Sequence, residues 1–203
     1  MNILIKLCVV VLFYFSFGSI MAGDFVSLVQ SCEHCHGKDG NSTTPDVPII
    51  AGFSYEGFLN TMDVFREDDR IAIEFHKPGD PEMVMNDIAK ALSDEEVDSL
   101  ARYFSQRPFK AAKQAVDSAL AERGEIIHKK SCERCHSDNG KEPVEDAAIL
   151  AGQWTPYLRR QFDNFSTGKR TVFRTMLRRV RKLSDEDIEA LLHFYAREGL
   201  KEN

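Results

Sequence analysis

Beyond its first 22 residues, this 203-residue chain has no cysteine except two pairs, Cys32/Cys35 and Cys132/Cys135. No thiol is left over for a structural disulfide. The fifth cysteine, Cys8, lies in the apolar run Leu7 to Phe17, which follows Lys6 and precedes the small-residue stretch Gly18 to Ala22. Charge, apolar core and small residues in that order read as an export signal, residues 1–22, cleaved after Ala22. The competing reading is an uncleaved anchor, but the run is short of the roughly 20 residues a spanning helix needs. Cys8 leaves with the signal and sits too early to carry a lipid. No second long apolar run follows, so the mature chain is expected in the periplasm, without stable membrane insertion. Also missing are a catalytic triad, a paired-carboxylate site and a phosphate loop. The basic residues match no nucleic-acid motif, and the net charge is −6. Nucleic acid is therefore excluded as a partner, and the chain alone is not expected to be an enzyme.

The two cysteine pairs carry the chemistry. Cys32-Glu33-His34-Cys35-His36 and Cys132-Glu133-Arg134-Cys135-His136 are both C-x-x-C-H sequences, and they stand 100 residues apart. This is the spacing at which haem becomes covalently attached. Two thiols three positions apart add to the two vinyl groups of one porphyrin, and the histidine that follows lies under the iron as its proximal ligand. Two covalently attached haem c groups are expected. Paired C-x-x-C motifs also occur in zinc ribbons, but those lack the extra histidine, and these pairs are too far apart for one small zinc site.

The rest of the chain repeats around these motifs. Ile49-Ile50-Ala51-Gly52 returns 100 residues later as Ile149-Leu150-Ala151-Gly152, and Leu92-Ser93-Asp94-Glu95 returns 91 residues later as Leu183-Ser184-Asp185-Glu186. The nine-residue difference falls in the polar Glu67–Glu82 loop, which holds Pro78, Gly79 and Pro81. Apolar residues at three- and four-residue steps predict a helix over 54–65 (Phe58, Leu59, Met62, Phe65). A second helix starts at Ser93, capped by Glu96 and burying Val97, Leu100, Ala101 and Phe104. Gln114 to Ser131 predicts a helix leading into the second motif, despite Gly124. No strand is predicted. The fold class is all-α, with two tandem domains made by internal duplication. The expected boundaries are 23–107 for the first, then a linker helix and the second domain over 108–203. Charge divides unevenly between them. Residues 24–109 carry 17 acidic and 7 basic side chains, a balance of −10; residues 110–203 carry 15 and 18, a balance of +3. Such polarity orients charged partners.

An iron held by one histidine needs a sixth ligand or an open position. Thioether sulfur suits an electron carrier, because it favours ferrous iron. Met85 and Met176 each lie seven residues before the Leu-Ser-Asp-Glu sequence, so the metal ligands are expected to be His36 with Met85 and His136 with Met176. Met83 and His76 are the alternatives to Met85, and Met62 reads as core. His34, His128 and His193 read as surface or packing residues. Trp154 and Tyr157 read as core, with Trp154 N–H or Tyr157 O–H also able to bond a haem propionate. The basic run Arg174, Arg178, Arg179, Arg181 and Lys182 reads as a solvated face or a site for propionates or an acidic partner.

These motifs together resemble the dihaem class I cytochromes c, specifically the cytochrome c4 group. The likeness covers both halves: Cys-x-x-Cys-His, then Ala-Gly, then an aromatic helix, then Met ahead of Leu-Ser-Asp-Glu. Ala112-Lys113-Gln114, Ala119-Leu120-Ala121, Cys132 to His136 and Ile149 to Leu158 are similar to the dihaem subunit of flavocytochrome c sulfide dehydrogenase. The resemblance implies two cytochrome c-type domains about a pseudo-twofold axis, with haem propionates facing each other. It also implies outer-sphere electron transfer with a redox protein partner. The expected partner is a flavoprotein that oxidises sulfide, with this chain as its haem subunit; the alternative is a free shuttle that feeds a terminal oxidase. A haem left open for catalysis is the third reading, disfavoured by the paired methionines.

Overall fold

The computed structural model describes residues 22–75, 83–143 and 147–201. Residues 1–21 of the expected 1–22 export signal, His76 and the Pro78–Pro81 segment lie outside the described residues. Each half contributes a helix into its motif, a tight turn, a long middle helix, a short helix and a capped last helix. In the first half these are α1 (Ala22–His36), a 3-10 turn (Lys38–Gly40), α2 (Tyr55–Arg66), α3 (Met85–Ala91) and α4 (Asp94–Ser105). In the second they are α5 (Ser118–Ser131), the one-turn α6 (Ser137–Gly140), α7 (Thr155–Thr167), α8 (Arg174–Val180) and α9 (Asp185–Leu200). Among the described residues the only extended pairing is two isolated bridges, Arg70 with Arg170 and Phe75 with Met83. None of their helices is long and apolar enough to cross a membrane.

The helix starts follow local chemistry. Ser54 caps α2 by accepting from Gly57 N–H. Ser93 with Glu96, and Ser184 with Asp187, form reciprocal capping boxes on α4 and α9. Val97, Leu100, Ala101 and Phe104, spaced along one face of α4, join Val29, Phe58, Met62 and Phe65 in the first core. The second core gathers Leu158, Ile188, Leu191, Leu192, Phe194 and Tyr195. α5 differs from expectation by starting four residues late. Gln114 stays outside it because its side chain bonds Gln153 O and Thr155 N–H, and Asp117 becomes the N-cap. The short helices α3 and α8 are also new. Arg70 and Arg170 keep the 100-residue spacing, so the nine extra residues of the first half lie between Arg70 and Met85.

One tie recurs in both halves. Gly40 O accepts from Ile50 and Ala51 N–H at 2.8 and 3.2 Å, and Gly140 O accepts from Leu150 and Ala151 N–H at 2.8 and 3.0 Å. Gly52 N–H then bonds Phe104 O at 2.9 Å, and Gly152 N–H bonds Tyr195 O at 2.8 Å. Gly40 and Gly140 sit at φ 77° and 83°, where a side chain is disfavoured.

Gly124 allows α5 and α9 to cross closely: a Cβ there would lie 2.0 Å from Ala190 O. In an exposed helix interior Gly→Ala gains about 1 kcal/mol. Here Gly124→Ala should instead cost about 1–3 kcal/mol through overpacking, read as a lower urea midpoint at unchanged slope.

Candidate cofactor site and the contact between the halves

The first motif is the last turn of α1, which sets Cys32 and His36 four residues apart on one face. Cys32 packs against the first core. His36 is buried, and its Nδ1–H donates to Pro48 O at 2.9 Å. A carbonyl only accepts, so Nε2 keeps its lone pair for a metal. Burial pushes His36 below the ordinary imidazole range, against the Pro48 carbonyl and with the help of the Arg70 charge. Burial also pushes the Cys32 thiol up to about 11. None of the four described cysteines is in a disulfide. No group of three or more His, Cys, Asp or Glu side chains among the described residues could hold a metal. Two cysteines outside any disulfide beside a buried imidazole fit the donor set of an attached haem.

The second motif has the same order in a different setting. Its residues form turns after α5, with Cys132 N–H and His136 N–H bonding His128 O and Cys132 O. His136 Nδ1 is buried without a hydrogen-bond partner. Ala148 stands where the first half has Pro48. Burial, and then repulsion from His128, push His136 down to about 4, so this ring too is neutral. Behind the motif, fully buried His128 bonds the Tyr195 hydroxyl through Nδ1 at 3.0 Å and Glu133 through Nε2 at 2.5 Å. Tyr195 in turn bonds Cys132. The first half has Leu28 and Phe104 at the corresponding places.

Met85 opens α3, half-buried and packed on the same core as Cys32. Its register is pinned by Asn86, whose amide N–H groups donate to Phe65 O and Arg70 O and whose oxygen accepts from Ala72 N–H. Met83 is exposed, 46 % accessible, which disfavours it against Met85. Met176 is half-buried in the first turn of α8 and does not pack on the second core cluster. The structure therefore gathers the first half's candidates around one core more completely than the second half's.

The halves meet through buried polar groups. Gln153, only 4 % exposed, accepts from Ile49 N–H at 3.0 Å and donates to Ile49 O at 2.9 Å. Trp154 N–H donates to Ser42 O at 3.0 Å, so it is engaged with the other half. Ile71 N–H bonds Lys169 O, and Thr171 N–H bonds Asp69 O, about the Arg70–Arg170 bridge. Antiparallel pairing of residues equivalent in the repeat is what a local twofold axis requires. Arg70 donates to Tyr157 Oη at 2.8 Å and Gln161 Oε1 at 3.3 Å, and Arg170 to the same Gln161 oxygen at 2.8 Å. Burial would raise Tyr157, but the surrounding arginines outweigh it and hold the phenol below its ordinary range.

The remaining candidates are peripheral. His34 is exposed, and His193 Nδ1 accepts from Asp117 N–H. Arg174, Arg178, Arg179, Arg181 and Lys182 are exposed, as a solvated face would be. Sequence reasoning missed Pro48, Asn86, Arg70, Arg170 and Gln161. For the two arginines a signal existed: each lies 34 residues after its motif histidine.

Residues 119–194 match the family model described as cytochrome C oxidase, cbb3-type, subunit III. The chain is 33 % identical over 181 residues to a cytochrome c4 of Stutzerimonas stutzeri, covering 80 % of this chain and 82 % of that one. It is 30 % identical to a thiosulfate dehydrogenase electron acceptor of the same species, over 85 % and 81 % of the two chains. The crystal structure of reduced recombinant cytochrome c4 from Pseudomonas stutzeri superposes with a TM-score of 0.68 at 30 % identity, over 86 % of this chain and 96 % of that one.

His128 is held below the ordinary imidazole range by burial, against the pull of Glu133. Its folded pKa lies below its unfolded value of about 6.5, so the unfolded chain binds the proton first and stability falls as pH drops through that value. The double substitution His128→Leu/Tyr195→Phe copies the first half's packing and should flatten that fall, seen as a smaller loss of urea midpoint from pH 7.5 to pH 5.

Proposed function

The chain belongs to the dihaem cytochrome c4 family, and from that premise we propose that Cys32 and Cys35 would hold one haem c and Cys132 and Cys135 the other, with His36 and Met85, and His136 and Met176, as the residues that would bind the irons. The protein is an electron-transfer cytochrome and not an enzyme. Each haem c, when bound, supplies a one-electron ferric–ferrous couple. The chain's own residues do the rest. The thiols tether, Pro48 O orients the His36 ring, Asn86 fixes the turn bearing Met85, and the two cores exclude water. The observation that carries the assignment is a histidine with a buried Nδ1 directly after each pair of cysteines outside any disulfide.

The proposed units are an export signal over 1–22, a first domain over 23–107 and a second over 108–203, with the mature protein in the periplasm. We read it as a free shuttle. It takes electrons from a dehydrogenase acting on a reduced sulfur compound and passes them to a terminal oxidase. The relative named a thiosulfate dehydrogenase electron acceptor supports the donor side. The alternative, a fixed subunit of a sulfide-oxidising flavoprotein, rests on the likeness over 149–158. Gln153, Trp154 and Tyr157 of that stretch bond to the chain's own first half, which gives them an internal role. Gentle purification should yield the cytochrome without stoichiometric flavoprotein; co-purifying flavin would reverse the choice.

A haemochrome assay should give two haems per chain, and one or none would sink the assignment. Met85→Ala and Met176→Ala should each lower one reduction potential by on the order of 0.1–0.3 V, within the ~0.8 V that axial ligands command. Each should also let carbon monoxide bind one reduced haem. Spectroelectrochemistry checks both, and an unchanged spectrum in Met85→Ala would transfer the role to Met83 or His76.

A further inference from the structure

Five of the nine residues from Arg174 to Lys182 are basic and none is acidic: Arg174, Arg178, Arg179, Arg181 and Lys182. All five are exposed, while Val180 of α8 is 3 % exposed and Leu177 half-buried, so the helix turns its apolar side inward and its charges outward. Among the described residues none of the five has a carboxylate partner. Arg66, Arg102, Arg123, Arg159, Arg160 and Arg197, in contrast, each pair with an Asp or Glu. The next acidic residues in sequence, Asp185, Glu186 and Asp187, belong to the first turn of α9, and Asp187 is engaged by Ser184 and Arg123.

Such a cluster works against the fold. Arg174 and Arg178 stand four apart on one helix, where like charges repel, and Arg174 meets the positive end of the helix dipole. Arg178 and Arg179, in the last turn, suit the dipole, but that accounts for two charges and not for five. The repeat supplies a comparison. With Met85 and Met176 setting the register, the five equivalent positions of the first half are Met83, Asp87, Ile88, Lys90 and Ala91. They carry one acid and one base, and Lys90 pairs with Asp68 at 2.8 Å. A short helix that bears the methionine therefore needs no basic face, yet the second half has one, in a chain of net charge −6. Its place is also defined. Met176 lies within the cluster, and the Arg179 charge is felt at Cys132.

We propose that the exposed face of α8, with Arg174, Arg178, Arg181 and Lys182, is the docking surface for a carboxylate-rich one-electron redox protein that exchanges electrons with the second haem. The proposal rests on the dihaem reading above and adds to it the place and the charge of the partner. Charge complementarity selects the occupant, because the partner's carboxylates supply the counter-charges that these cations lack. Residues 24–109, at −10, repel the same partner and turn it to the basic end. Electron-transfer encounters of this kind are small and transient. An anionic lipid surface fits less well, since α8 has seven residues and turns Leu177 and Val180 inward, away from any membrane. In each encounter one electron passes, one centre is oxidised as the other is reduced, and no bond is made or broken.

The test is stopped-flow reduction of oxidised holoprotein by a reduced plant-type [2Fe–2S] ferredoxin, an acidic one-electron protein whose potential of about −400 mV makes the transfer downhill. After haem counting, Arg178→Glu/Lys182→Glu is compared with Lys110→Glu/Lys113→Glu, exposed positions between the halves that change the net charge equally. At low salt the α8 variant should react about tenfold more slowly than the wild type or worse, and the linker variant should lose clearly less. The difference should vanish near 1 M salt, where screening acts within about 3 Å. Hexaammineruthenium(II), a small cationic donor, should reduce the α8 variant no more slowly than the wild type. If the Glu variant does not fold, Arg178→Gln/Lys182→Gln is read in its place, with a slowing of about threefold supporting the surface and none overturning it. Equal slowing of the α8 and linker variants, or none in the α8 variant, would overturn the proposal. So would unchanged ferredoxin rates in an α8 variant that has lost wild-type binding to phosphatidylglycerol vesicles, which would assign the face to lipid. Unchanged rates in a variant that has lost wild-type self-association at low salt would likewise overturn it, assigning the face to a second copy. Fewer than two haems in the wild type would instead refute the dihaem reading.

Discussion

The fold hangs on the carbonyl of a glycine four residues past each motif histidine. Gly40 O and Gly140 O each collect two N–H groups from the Ile/Leu-Ala-Gly stretch ahead, and Gly52 and Gly152 then bond the last helix of their half. Histidine, turn and last helix are thereby closed into one ring of backbone hydrogen bonds. That ring depends on a left-handed glycine and on no haem contact. It also brings Pro48 against His36, because Pro48 stands two residues before the bonded pair. The imidazole is oriented by the same closure that shapes the core.

The two halves share this frame and differ in what stands behind it. The Pro48 carbonyl gives His36 an acceptor, while the His136 ring Nδ1 has none. Leu28 and Phe104 make an apolar wall in the first half, and His128, Tyr195 and Glu133 make a hydrogen-bonded chain to Cys132 in the second. An imidazole that donates to a carbonyl is a stronger base toward a metal than one that does not. Duplication thus produced one backbone with two electronic environments, which a relay between unlike centres needs and a symmetric pair would lack.

Much of this was legible in the sequence because it is local. The C-x-x-C-H spacing, the Ser-Asp-Glu capping boxes and the i, i+3, i+4, i+7 face of α4 each lie within a few residues. So does the register of Met85 and Met176 against the last helices. What was not legible acts across the repeat. The Ile149–Leu158 stretch resembles that of a flavoprotein-bound subunit, yet the Gln153 amide within it is an internal clamp on Ile49, 104 residues away. Trp154 similarly serves Ser42. A side-chain amide's partner at that range is set by how the halves dock, which no local pattern encodes. Arg70 and Arg170 stand at matching positions of the repeat, but Arg70 lies in the polar Glu67–Glu82 loop, where no local pattern marks it. The start of α5 was misplaced for the same reason, since Gln114 is drawn off to Gln153 and Thr155.

The polar character of the contact between the halves constrains how the protein works. Backbone groups of Ile49, both ends of the Gln153 amide and the Arg70 guanidinium are buried there, and each would lose a partner if the halves separated. The exposed Arg160–Asp46 pair adds little in comparison, since surface ion pairs contribute at most about 1 kcal/mol. Nor does the gross charge difference hold the halves together, because its members lie mostly in water and are screened within about 10 Å. The contact is thus maintained by directional bonds with little tolerance for sliding or hinging. Two centres mounted on it keep a fixed separation, so the rate between them is governed by what surrounds each one. The uneven charge of the two surfaces is then left free to orient partners rather than to hold the molecule shut.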